Sequence, residues 1–187
     1  METRKLILDK ALKLFSEKGI KETTIRDIAK SVGITEGAIY RHFSSKEEIV
    51  YELFSKYSEE LYNKLMSVIT KEKDPEVKFK KCVDTFLKFS FRNPDAFRYM
   101  NIFHYIRGKE VKKFSKVPMV IFYELLEELD SAGLLHLKPE YAMAVVVGSL
   151  ERIFLYKNMG IIKDSKTEVR KYIADLLWNV ITNCFKS

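Results

Sequence analysis

The stretch TIRDIAKSVGITEGAIYRHFSSK, residues 24–46, decides how this chain is read. Thr24 stands as an N-cap with Asp27 three residues on as an acidic capping-box partner, and Ile25, Ile28, Ala29 and Val32 fall on one face. Gly33 ends that helix where a tight turn needs positive φ. Thr35 then caps a further helix expected to run to about Phe43. At roughly 100° per residue, Ile39 and Phe43 point inward while Gly37, Ala38 and Arg41 share the outer side. Tyr40 and His42 take the two shoulders. The pattern predicts a helix-turn-helix whose last helix enters a DNA groove.

The side chains on that helix suit the task. Gly37 and Ala38 lack bulk and let the backbone approach base edges, and Ala38 can also meet a thymine methyl. Arg41 is expected to read a base, since a bidentate guanidinium on guanine is worth about 1–3 kcal/mol of discrimination; a phosphate contact is the other reading. Tyr40 and His42 can each reach a flanking phosphate. Arg26, in the first turn of its helix, and Lys46, which opens the next, lie where helix N-termini grip phosphate, which favours that role over ordinary solvated charge. Glu36 reads first as a helix-dipole partner and second as an acceptor for cytosine N4.

Working outward, Thr3 to Lys18 repeats apolar residues at Leu8, Ala11, Leu12 and Phe15 and stops at Gly19, giving helix one. Ser45 with Glu48 opens helix four, whose apolar face runs from Ile49 to Val68. Asp74-Pro75 and Asn93-Pro94 start helices five and six. Helix seven is expected within Lys109–Asp130, interrupted or begun near Pro118. Pro139 opens helix eight, and Ser165 with Glu168 caps helix nine. The expectation is an all-α fold of about nine helices, with a helix-turn-helix domain at 1–46 and a helical body at 47–187.

Charge supports the division. Residues 1–46 hold ten Lys/Arg against six Asp/Glu, so a quarter of the chain carries more than half of the net charge of +7. Cys82 and Cys184 are far apart inside apolar patterns and read as buried reduced thiols, which points to the cytoplasm. No signal peptide or bilayer-length apolar run is recognised, so no membrane partner is expected. None of the three histidines has a Glu three residues before it, and no GxSxG or Walker loop appears. No catalytic residue, metal or cofactor is therefore expected.

Residues 4–50 resemble the DNA-binding head of the tetracycline-repressor (TetR) family of bacterial transcription regulators. The pattern T-x-R-D-I-A-x-x-x-G-I-T-x-G-A-I-Y-x-H-F-x-S-K-E is matched from Thr24 through Glu47. The resemblance implies DNA contact by Thr24, Arg26, Thr35, Gly37, Tyr40, His42 and Lys46. Glu36 and Arg41 occupy variable positions, so their roles rest on helix geometry. It further implies a homodimer holding two recognition helices about 34–36 Å apart over a near-palindromic operator. A small effector bound in the body would then move helix four and spoil that spacing.

For the effector, Phe86, Phe89, Phe103 and Tyr105 offer an apolar lining on helices five and six. Met119, Phe122, Tyr123 and Phe154 continue it on helices seven and eight, with His104 as a polar anchor. Aromatics at such spacing are more often core. A hydrophobic or amphipathic small molecule is the expected ligand. The expected dimer face comprises Ala144, Val145, Gly148, Ser149 and Arg152 on helix eight. Ile173, Leu177, Trp178 and Ile181 extend it on helix nine, though that stripe taken alone reads as intramolecular packing.

Overall fold

The structure is a computed structural model and describes residues 2–183. Among these the chain is all-α: α1 Glu2–Lys18, α2 Ile25–Val32, α3 Glu36–Tyr40, α4 Lys46–Lys71, α5 Pro75–Arg92, α6 Pro94–Arg107, α7 Pro118–Ser131, α8 Pro139–Asn158 and α9 Lys166–Thr182, with a 3-10 turn at Gly108–Lys113. No strand occurs among the described residues.

The caps explain the boundaries. Thr24 and Ser165 each form a full capping box, with Asp27 and Glu168 respectively. Gly33 takes φ 81°, the left-handed conformation expected of it. Two details differ from the sequence reading. α3 ends at Tyr40 rather than near Phe43, because the N–H groups of His42 and Phe43 both turn to the Ile39 carbonyl, at 2.9 and 3.0 Å, and tighten the last turn. Ser45 accepts from Glu48 N–H at 3.2 Å, but the Glu48 carboxylate reaches past it to the backbone and hydroxyl of Ser44. The stretch from Lys109 to Asp130 is a 3-10 turn followed by a separate α7, since Val117 is driven into an extended conformation by Pro118.

Contacts divide the chain into two compact units that do not follow the expected division at residue 46. The first is Met1–Glu60 with Asn93–Lys116, and the second is Leu61–Arg92 with Val117–Ser187. In the first, α1 packs on α6 and on α2. Its core holds Ile7, Phe15, Ile28, Ile39, Phe43, Phe54 and Phe103, all essentially inaccessible. Phe15 stacks on Tyr99, and the buried Tyr99 hydroxyl donates to the Val50 carbonyl at 2.6 Å, so that burial leaves it no unpaired proton.

In the second unit α5 packs mainly against α9, then α8 and α7. Phe79, Cys82, Val83, Leu87, Val146, Leu150 and Leu177 fill it. Burial pushes the Cys82 thiol up to about 12, as an inert core thiol requires. Cys184 lies outside the described residues. Among the described residues no helix is long and apolar enough to cross a membrane.

Candidate nucleic-acid interface

All ten residues expected to meet DNA belong to the first unit. Thr24, Arg26, Thr35, Glu36, Gly37, Tyr40 and Arg41 are exposed, while Ala38, His42 and Lys46 are half-buried. The side chains that face inward, Ile25, Ile28, Ala29, Ile39 and Phe43, are buried. α3 thus has an inner face, Ile39, that is buried, and an outer face, Glu36, Gly37 and Tyr40, that is exposed.

Gly37 is diagnostic. A Cβ placed there would meet nothing nearer than the Thr35 hydroxyl at 4.0 Å, so the fold does not require glycine. An alanine would fit at this position, so packing within the unit does not set its lack of a side chain. Tyr40 keeps 53% of its surface exposed. Arg41 sits just past the end of α3 in a helical conformation (φ −73°, ψ −19°), so it remains near the outer side assigned to it.

Two expected DNA residues have structural duties as well. The Thr24 hydroxyl accepts from Asp27 N–H at 3.1 Å and donates to the Asp27 carboxylate at 2.8 Å. The Thr24 backbone and hydroxyl together hold the Asp27 carboxyl below its usual range. Lys46 directs its ammonium to the carbonyls of Ile20 and Thr23, at 2.9 Å each. That ties the start of α4 to the turn between α1 and α2, with one ammonium proton left for a phosphate.

Sequence reading missed the contacts that hold α4 in place. Arg4 of α1 makes a bidentate pair with Glu52 and lies 4.5 Å over the Phe43 ring. Arg107, at the end of α6, makes a bidentate pair with Glu47 in the first turn of α4. This pairing is the main cause that holds the Glu47 carboxyl low. Tyr51 donates its hydroxyl to Glu110 of the 3-10 turn. These partners are 48 to 60 residues apart, and no local pattern announces them.

The residues expected to line an effector pocket fall in both units. Phe103, His104 and Tyr105 belong to the first, and Phe86, Phe89, Met119, Phe122, Tyr123 and Phe154 to the second. Phe103 stacks on Phe54 within an aromatic cluster, and Phe86 meets Phe122 edge-on; both are core contacts. Tyr105 is 92% exposed. In the second unit a half-open groove of about 430 Å³ is lined by Ile153, Ile162, Asp164, Glu168, Val169, Tyr172 and Ile173, none of them in the expected lining.

On the expected dimer face, Ala144, Gly148 and Arg152 are exposed along one side of α8, with Val145 and Ser149 half-buried beside them. On α9 the expectation needs correcting. Ile173, Leu177 and Ile181 are buried in their own unit, where α9 packs on α5, and Trp178 packs on Phe79. The exposed apolar residues of α9 are Tyr172 and Leu176, each one position, about 100°, before a buried residue of the stripe.

Residues 7–53 match the family described as bacterial regulatory proteins, tetR family. The chain is 31% identical over 118 residues to the transcriptional repressor KstR2 of Mycolicibacterium smegmatis, covering 63% of this chain and 54% of that protein. It is 27% identical over 182 residues to the negative transcriptional regulator IcaR of Staphylococcus epidermidis, covering 91% and 95%. Matches to YuxN of Bacillus subtilis and KstR2 of Rhodococcus jostii span only 28% and 39% of those proteins. The chain thus covers less than two thirds of the first curated relatives it matches. The fold is shared with the fatty acid degradation regulator FadR of Bacillus halodurans, at TM-score 0.73, 23% identity and 95% coverage of both chains. It is also shared with the ketosteroid regulator KstR2 of Mycobacterium tuberculosis, at TM-score 0.77, 19% identity and 97% and 96% coverage. The helix-turn-helix that residues 24–46 build thus lies within the segment, residues 7–53, that matches the tetR family of bacterial regulatory proteins.

Proposed function

We propose that this protein is a dimeric transcriptional regulator that binds a near-palindromic DNA operator through α3 and releases it when a small apolar or amphipathic molecule binds the body. The observation that carries the reading is the outer face of α3. Gly37 is a glycine the fold does not need, set beside an exposed Tyr40 and Arg41 on a helix locked from behind by Ile39 and Phe43. Thr24, Arg26, Thr35, Glu36, Ala38, His42 and Lys46 surround it and supply the phosphate and base-edge contacts. Repression is the mode favoured by the names of KstR2 and IcaR, a repressor and a negative regulator. The apolar effector class is supported by the names of two proteins that share the fold, the fatty acid degradation regulator FadR and the ketosteroid transcriptional regulator KstR2.

The test is selection of bound duplexes from random fragments, repeated with long-chain fatty acids and with ketosteroids present. A recovered inverted repeat released by one of these ligands supports the whole reading. A repeat that no ligand releases leaves a constitutive DNA-binding dimer, and binding that ignores salt would remove the DNA reading itself.

A further inference from the structure

The 3-10 turn Gly108–Lys113 and its flanks carry a dense positive charge: Arg107, Lys109, Lys112, Lys113 and Lys116 against the single Glu110. Most of it is matched inside the first unit. Arg107 pairs with Glu47, Lys113 lies 3.5 Å from Glu110, and Lys116 pairs with Glu59. Lys109 and Lys112 are both exposed, and neither forms an ion pair among the described residues.

Helical geometry makes a pair of these two. In a 3-10 helix side chains three residues apart eclipse one another, so Lys109 stands over Lys112 as Glu110 stands over Lys113. The Glu110 row faces α4, where its carboxylate takes the Tyr51 hydroxyl. The Lys109 row is rotated by about a third of a turn away from that contact. Two like charges are therefore held side by side and unneutralised, an arrangement that favours an anion bridging them.

Its place in the chain's contacts indicates which anion. The Arg107–Glu47 pair fixes the turn to the first turn of α4. That helix turn begins at Lys46, six residues after α3 ends at Tyr40, and Lys46 itself binds the α1–α2 turn. The lysine pair is thus carried on the same unit as the DNA-reading face, braced to the element that follows it.

We propose that Lys109 and Lys112 form an additional phosphate-gripping point of the DNA-binding unit, holding the duplex backbone beside the stretch that α3 reads. This rests on the DNA-binding reading above. It adds a contact that carries no sequence information and increases affinity for any duplex long enough to reach it.

The test measures affinity by anisotropy on a random-sequence duplex of about 40 base pairs between about 50 and 200 mM KCl. The wild type is compared with Lys109→Ala/Lys112→Ala, with Lys109→Arg/Lys112→Arg, and with Lys88→Ala/Lys171→Ala, which removes two exposed lysines of the second unit. The alanine pair at the turn should flatten the logarithmic salt slope by about 1.8 units, so its affinity falls about 12-fold less over that range. The arginine pair should keep the wild-type slope, and so should the control. An unchanged slope in Lys109→Ala/Lys112→Ala overturns the proposal, as does an equal loss in the control. Should the alanine pair bind DNA as the wild type does but lose binding to phosphatidylserine vesicles, the site belongs to an anionic membrane surface instead. A wild type with no salt-dependent DNA binding defeats the DNA reading first, and this proposal with it.

Discussion

Gly37 separates what a residue does for the fold from what it does for a partner. Alanine is better than glycine in a helix by about 1 kcal/mol, and a Cβ here meets only the Thr35 hydroxyl at 4.0 Å. Gly37→Ala is therefore expected to leave the urea midpoint unchanged or raise it, while lowering operator affinity. Equal operator affinity in a titration would show that α3 does not enter the groove at this position. Lys46 shows the opposite balance. Its two bonds to the Ile20 and Thr23 carbonyls make it a brace between helices, a duty that the sequence motif does not reveal because its partners lie 23 and 26 residues away.

At the scale of elements, the head is built from caps and turns, and these were legible. The Thr24–Asp27 box, the Thr35 cap and the left-handed Gly33 are each local events within a few residues, so a single pass along the chain finds them. Gly33 offers a clean check, because an added Cβ there would touch nothing within 4 Å and any cost is conformational. Gly33→Ala should destabilise the protein by about 1–2 kcal/mol, and Gly33→Asn should recover part of the loss. Urea denaturation of the two variants measures it, and an unperturbed alanine variant would contradict the left-handed assignment. α9 was the least legible element. Its apolar residues recur at three and four, but periodicity says only that a face is covered, not whether the cover is α5 or a second copy.

For the whole molecule, the buried state of His104 gives a pH dependence. Its Nε2 is buried with no hydrogen-bond partner among the described residues, its ring meets Phe54 edge-on, and burial lowers its pKa from 6.5. An unfolded imidazole takes up a proton near pH 6.5, whereas the folded one resists until lower pH. Its contribution is complete above pH 6.5 and falls as the pH drops from there toward the folded value. Denaturant midpoints measured from pH 7.5 down to about 5 should decline more in the wild type than in His104→Phe, which cannot titrate. Parallel curves would remove His104 from the account. The proposed dimer makes a second prediction at this scale. Gly148 is exposed on α8 with open space around a would-be Cβ, so Gly148→Arg should preserve the fold. It should shift sedimentation from dimer to monomer and lower operator affinity with it, and an unaltered dimer would place the interface elsewhere.

The helices and the helix-turn-helix follow from the amino-acid order alone, because caps, turn glycines and a 3.6-residue period are short-range properties written within one or two turns of chain. Packing of the folded chain is what sets Ile173, Leu177 and Ile181 of α9 in the core, where α9 meets α5, and leaves Tyr172 and Leu176 exposed. It alone braced α4 through Arg4, Arg107 and Glu110, and alone left Lys109 and Lys112 unpaired among matched neighbours. The physical reason is range: a side chain's partner across the fold lies tens of residues away, and periodicity records that a residue is covered without recording what covers it.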